Sequence, residues 1–147
     1  IIYKNGLQHM LDRKRGYEDL LRDQGLYNPF LVKEINYSTL ANDMSIAIES
    51  LLSNGNRVDG IFYATNTLSM LGIKQLLNFK LQIPRNISVV CFDKNDAFDF
   101  IHTTIPYIQQ PIMEMGVKAV GLLIDQIKQK SKGVATFELQ TELKNRT

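Results

Sequence analysis

The stretch Ile83-Pro84-Arg85-Asn86-Ile87-Ser88-Val89-Val90-Cys91-Phe92-Asp93 decides how the rest of the chain is read. Pro84 and Asn86 punctuate a loop, and residues 87–92 then form an almost unbroken apolar run rich in β-branched side chains. Such a run behind a turn signal reads as a strand buried on both faces, as in a parallel sheet covered by helices. It stops at Asp93, a carboxylate placed where the strand leaves the sheet. Open α/β sheets bind ligands outside the carboxyl ends of their strands, so Asp93 is the first candidate for a ligand contact. The competing expectation is that Asp93 only caps the short helix that follows, because aspartate is a favoured N-cap.

Outward from this strand the same alternation recurs. Residues 1–3 read as a strand, and residues 9–24 as a helix carrying Met10, Leu11, Tyr17, Leu20 and Leu21 at helical spacing and closed by Gly25. Asn28-Pro29 turns the chain into an expected strand over 30–35. A helix over 41–53 ends at Asn54-Gly55-Asn56, a strand covers 58–64, and a helix covers 67–80. A short helix over 97–101 follows the strand at 87–92. This spacing is that of βαβ units on a parallel sheet with right-handed crossovers. After His102 the pattern changes. Tyr107-Ile108-Gln109 is a short extended segment between prolines 106 and 111. Residues 112–130 form the longest helix, with the stripe Met113, Val117, Val120, Ile124 and Ile127, and Ser131-Lys132-Gly133 ends it. Residues 136–143 alternate as a final strand. The expected fold class is α/β, a parallel sheet flanked by helices.

The 147 residues suffice for one domain with a sizeable core, and 44% apolar residues set the chain apart from disordered sequences. Seventeen basic against fifteen acidic residues, a net charge of +2, argue against a nucleic-acid surface on this chain. No apolar run is long enough to span a membrane. The single cysteine, Cys91, lies inside the apolar run and reads as a core residue, which excludes a disulfide framework or a cysteine metal cluster and fits a reducing cytoplasm. The chain does not begin with methionine, and its first residues read as the interior of a strand, so it is expected to be a piece of a longer protein.

Four loops follow strands and share one edge of the expected sheet. They carry Arg13, Asn36-Tyr37, Thr65-Asn66-Thr67 and Asp93-Lys94-Asn95-Asp96. An arginine fork, an amide, a carboxylate and an aromatic ring on one rim suit a polyhydroxylated ligand. The carboxylate accepts from hydroxyls, the guanidinium donates, the amide does both and the ring covers an apolar sugar face. The competing expectation makes Asn66 and Asp93 helix caps and Arg13 half of a surface ion pair. Catalysis is poorly supported. There are two histidines, no G-x-S-x-G elbow, no phosphate-cradling glycine loop and no metal-spaced cluster, so no enzymatic activity, cofactor or metal is expected. A phosphoacceptor domain would need an acidic pair after its first strand, where this chain has Tyr3-Lys4-Asn5.

Asp12-Arg13-Lys14-Arg15-Gly16-Tyr17, Asp59-Gly60-Ile61-Phe62-Tyr63-Ala64-Thr65-Asn66, the 83–93 stretch and Gln110-Pro111 with Met115-Gly116 and Ala119 together resemble the effector-binding core of the lactose/galactose-repressor (LacI/GalR) family. The resemblance runs in order over nearly the whole chain. It implies a fold similar to periplasmic sugar-binding proteins, with two α/β subdomains around a ligand cleft. It also implies a cytoplasmic transcriptional regulator in which a sugar or nucleobase alters operator binding. In that pattern Arg13 matches the arginine of R-x-x-G-[FYW], Asn66 the asparagine of A-N-D, and Asp93 the aspartate of [GY]-[FY]-D; Tyr37 is the nearest counterpart of a ligand-stacking aromatic. Thr67 replaces the usual aspartate of A-N-D, and Cys91 a usual glycine.

The resemblance further implies that residues 1–109 belong to the C-terminal subdomain, 110–140 to the N-terminal subdomain, and 141–147 to the C-terminal subdomain again. Operator DNA would be contacted only through an N-terminal head absent from these residues. A homodimer is implied through the helix from Thr67 and the 97–101 segment, with Met70, Leu71, Phe98 and Ile101 at the contact; ordinary core burial of those four is the alternative. The stripe of the 112–130 helix would pack into the other subdomain and, in this chain alone, is expected to seek intermolecular contacts. Outside the regulator reading stand an exported sugar-binding protein of an uptake system and a doubly wound enzyme.

Overall fold

The computed structural model describes residues 1–53, 58–101, 104–128 and 134–145. Its elements in order are β1 (Ile2–Tyr3), α1 (Gln8–Asp23), β2 (Glu34–Ile35), α2 (Leu40–Ser53), β3 (Gly60–Tyr63), α3 (Asn66–Asn78), β4 (Ser88–Phe92), β5 (Tyr107–Gln109), α4 (Ile112–Ile127) and β6 (Glu142–Lys144). Strands β3, β4 and β5 are parallel neighbours, and β6 adds to β5 antiparallel. β1 and β2 form a second parallel pair. Two backbone bonds join it to β3 in parallel fashion: Ile1 N donates to Phe62 O at 2.7 Å and Ala64 N donates to Ile1 O at 3.0 Å. The carboxyl ends of β1 to β5 therefore share one edge.

The main core lies on one face of this sheet. Met44, Ala47, Ile48 and Leu51 of α2 and Leu68, Ile73 and Leu76 of α3 pack there against Ile61, Tyr63, Val89, Cys91 and Tyr107. Burying each such aliphatic side chain contributes about 1.5–3 kcal/mol. On the other face, Met10 of α1 meets Ile2 and Ala64, with Phe62 beside them. β4 is thus not buried on both sides as its composition suggests. Val89 and Cys91 are buried, whereas Val90 and Phe92 on the α1 face are only half-buried. A run of apolar residues states that a strand is apolar on both sides, not that both sides are covered.

Local chemistry explains most boundaries. α1 ends in a Schellman arrangement, with Gly25 at φ +67°, Gly25 N donating to Arg22 O and Leu26 N to Leu21 O. α3 starts at Thr65, whose hydroxyl accepts from Leu68 N at 3.3 Å. The expected strand over 30–35 begins instead as a 3-10 turn, Pro29–Leu31, because Asn28 Oδ1 accepts from Phe30 N and proline occupies the first turn position; only Glu34–Ile35 pairs. The expected short helix is a 3-10 segment, Asp96–Phe100. The expected strand over 136–143 reduces to Glu142–Lys144, and residues 134–141 have no regular structure. The expected stop at Asn54-Gly55-Asn56, residues His102 and Thr103, and the expected end of the last helix at 129–133 lie outside the described residues.

Two helices leave apolar residues uncovered. α1 buries only Met10, while Leu11 and Leu20 of its stripe are exposed. α4 buries none of its residues, and its stripe of Met113, Val117, Val120, Ile124 and Ile127 is exposed throughout. Of the four residues weighed for a dimer contact, Phe98 is buried in the main core, and Met70, Leu71 and Ile101 pack against it half-buried. Phe100, two residues on, is 86% exposed. Among the described residues no helix is long and apolar enough to cross a membrane.

Candidate functional site

Asp93 is the first residue beyond β4, and it sits in the left-handed region at φ +69°. Aspartate tolerates that conformation better than most residues. There its amide still reaches the sheet, donating to Ile108 O at 2.9 Å. Its carboxylate does not cap the following segment, whose N-cap is Asn95, accepting from Ala97 N at 2.8 Å. Asp93 Oδ1 instead accepts from Gln110 Nε2 at 2.8 Å. The carboxylate is therefore held at the sheet edge by the loop after β5.

Arg13 reaches the same place from α1. Its guanidinium lies 3.4 Å from the centre of the Phe92 ring and donates to Ala64 O at 2.7 Å. Burial pulls its pKa below the ordinary arginine value, while the Asp93 carboxylate acts in the opposite direction. So Arg13 is not half of a surface ion pair: it is stacked on a strand-end aromatic beside a carboxylate. A guanidinium stacked on a ring keeps its in-plane N–H groups available for a ligand.

Asn66 opens α3, but the cap is Thr65 and the amide has other work. Its Nδ2 donates to Lys94 O at 2.9 Å, and its Oδ1 accepts from Asn95 Nδ2. It clips the start of α3 to the loop that carries Asp93. Lys94 lies between Asp96 and Asp99, with Nζ to oxygen distances of 3.2 and 3.7 Å. Tyr37 stands apart from this group. It is 81% exposed and its ring meets Tyr3, centroids 5.9 Å apart. Next to it, Asn36 donates through its backbone N and Nδ2 to Asp43 Oδ2, so that loop is anchored to α2.

The structure thus joins Arg13, Phe92, Asp93 and Gln110 in one cluster and places Asn66 as a brace on the Asp93 loop. Phe92 and Gln110 were not singled out as site residues from the sequence, although both stand inside quoted motifs. Each is one position from a turn at the end of a strand, which is the signal that would have found them. Chemically the cluster offers a carboxylate acceptor and a positioned guanidinium donor on a half-buried aromatic floor, a set suited to hydroxyl groups.

A mostly parallel sheet with helices on its faces, carrying such a cluster at the carboxyl edge of its strands, defines an α/β ligand-binding domain. A model of the periplasmic binding protein-like domain matches residues 1–147, and the chain belongs to that family. The HTH-type transcriptional repressor PurR of Aliivibrio fischeri is 27% identical over 139 residues, covering 92% of this chain and 41% of that protein. The ribose operon repressor of Halalkalibacterium halodurans is 23% identical over 132 residues, covering 90% and 39%. Among solved structures, a complex of the transcriptional regulator CelR with cellobiose superposes with a TM-score of 0.80 at 23% identity, over 97% of this chain and 44% of that one. A LacI family regulator from Enterococcus faecium with bound ribose gives 0.79 at 21%, over 97% and 53%. At these identities the solved structures speak to the fold alone. The chain spans about two-fifths of the length of the curated relatives it matches.

Proposed function

We propose that this chain is the effector-sensing part of a LacI-type transcriptional regulator and takes a sugar at the rim formed by Arg13, Phe92 and Asp93. The observation that carries the reading is the convergence of the Arg13 guanidinium, held over Phe92, with the Asp93 carboxylate at the carboxyl edge of β4. Arg13 and Asp93 bind hydroxyls, and Asn66 holds the loop that presents Asp93. Tyr37 contributes a ring at the outer end of the rim. The matched relatives are the repressor PurR and a ribose operon repressor, and two neighbours hold cellobiose and ribose, which favours a regulator over an exported binding protein and sugars as the first class to try. The reading includes no catalysis.

In this reading residues 1–109 form the C-terminal subdomain, residues 110–140 reach into a second subdomain that covers α4, and residues 141–147 return. Support comes from β6 rejoining β5 while α4 between them buries nothing. The whole regulator is a cytoplasmic homodimer that meets operator DNA through a separate head. The test is a thermal-shift and calorimetric screen of the full-length protein with ribose, cellobiose, other sugars, sugar phosphates and nucleobases. A sugar that raises the melting temperature in the wild type and not in Asp93→Ala supports the reading. Unchanged affinity in Asp93→Ala, or stabilisation by no sugar, overturns it.

A further inference from the structure

We propose that Gln110 is a positioning residue that ties the Asp93 carboxylate to the start of α4, so that whatever occupies Asp93 biases the direction of that helix; this rests on the effector-sensing reading. Gln110 lies in the two-residue link between β5 and α4. Its side chain and main chain bond in different directions: Nε2 donates to Asp93 Oδ1 at 2.8 Å, while its carbonyl accepts at 2.9 Å from the N of Ile112, the first residue of α4. Pro111 follows with its ring-restricted φ of −79°, so the link has little freedom of its own.

The backbone makes the tie double. Asp93 N donates to Ile108 O, so the Asp93 loop holds β5 by its amide and the link after β5 by its carboxylate. α4 has no buried residue to fix it against the sheet. Within this chain no buried contact fixes its direction relative to the site, which leaves residues 110 and 111 as its tie to the sheet. A sugar hydroxyl donating to Asp93 Oδ1 shares or displaces the Gln110 amide, and the displacement is delivered at the first turn of α4. A ligand shifts such an element only through different contacts in its two positions, and this hydrogen bond is one such contact.

The experiment is amide hydrogen exchange on the full-length protein, read over residues 111–116. Without sugar, Gln110→Leu and Asp93→Ala should each raise exchange there several-fold. The double variant should exceed neither, and Asp93→Asn, which keeps the acceptor oxygen, should stay near wild type. Exchange in β3 and β4 reports whether each variant is folded; should Gln110→Leu fail that check, Gln110→Asn, too short to reach, takes its place. With the sugar that stabilises the wild type most in a panel containing ribose and cellobiose, each protein being saturated at a concentration set by its own calorimetric titration, exchange over 111–116 should change in the wild type and not in Gln110→Leu. Additive effects in the double variant, or a response in Gln110→Leu equal to wild type, overturns the proposal. If no sugar binds, the sensing reading falls, while the sugar-free exchange still decides the tie.

Discussion

The guanidinium of Arg13 lies 3.4 Å from the centre of the Phe92 ring, so the residue before Asp93 is the floor on which the site's cation rests. The second hold on Arg13 is the Ala64 carbonyl at 2.7 Å. A cation–π contact of this kind contributes about 0.5–2 kcal/mol. Removing the ring leaves the guanidinium held at one point and free to swing.

Phe92→Leu should therefore weaken sugar binding by about two- to thirty-fold, the same energy expressed as a ratio. Phe92→Tyr, which keeps the ring, should bind like the wild type. Calorimetric titration of the full-length protein decides it. Equal affinity in the leucine and tyrosine variants would show that Arg13 needs no floor.

Tyr63 and Gly72 make a second close pair, inside the main core. A Cβ built on Gly72 would fall within contact distance of Cε1, Cζ and the hydroxyl of Tyr63, which cannot yield because the ring is fully buried. Gly72→Ala should destabilise the protein by about 1–3 kcal/mol, the usual range for overpacking. Tyr63→Leu in the same chain should recover part of the loss. The Tyr63 hydroxyl has no hydrogen-bond partner among the described residues, and burial raises its pKa. Tyr63→Phe should then be at least as stable as the wild type in urea unfolding. A loss above about 1 kcal/mol would reveal a partner for that hydroxyl.

Cys91 packs in the same core, and burial pushes its thiol up to about 12. The thiolate is the nucleophile, so a thiol reagent at pH 8 should leave the folded protein unmodified and react fully in urea. In the folded state the thiol keeps its proton above the pH at which the unfolded chain loses it, so stability falls as pH rises from the ordinary thiol range towards about 12. Rapid labelling of the native protein at pH 8 would mean that β4 opens locally.

Much of this fold is legible in the amino acids because βαβ alternation depends on local periodicity. The 87–93 stretch, the Gly25 stop and the carboxyl-edge position of Arg13 and Asp93 all follow from residue order. What was not legible depends on partners distant in sequence. Asn28 and Pro29 outvote the β-branched residues after them. Val90 and Phe92 look as buried as Val89 and Cys91, because composition does not say which face a helix covers. Asn66 looks like a cap until Asn95 and Lys94 arrive beside it, 29 and 28 residues away in the chain. Gln110 acquires its role only when β5 is laid next to β4.

The apolar stripe of α4 is exposed along the length of the helix. Met113 is 83% exposed and Ile127 72%, and Val117, Val120 and Ile124 complete a continuous apolar line. Burying one such side chain contributes about 1.5–3 kcal/mol, so five in a row give a strong drive to associate. The 147-residue chain on its own should therefore self-associate at micromolar concentration in sedimentation velocity. The double variant Val117→Glu with Ile124→Glu should remain monomeric with an unchanged circular dichroism spectrum, since neither residue is buried within this chain. In the full-length protein the same double variant should lower the melting temperature if, as proposed, a second subdomain covers the stripe, since two carboxylates would then have to leave water. A wild-type chain that stays monomeric would show that α4 tolerates water; a full-length variant as stable as wild type would show that nothing covers the stripe there.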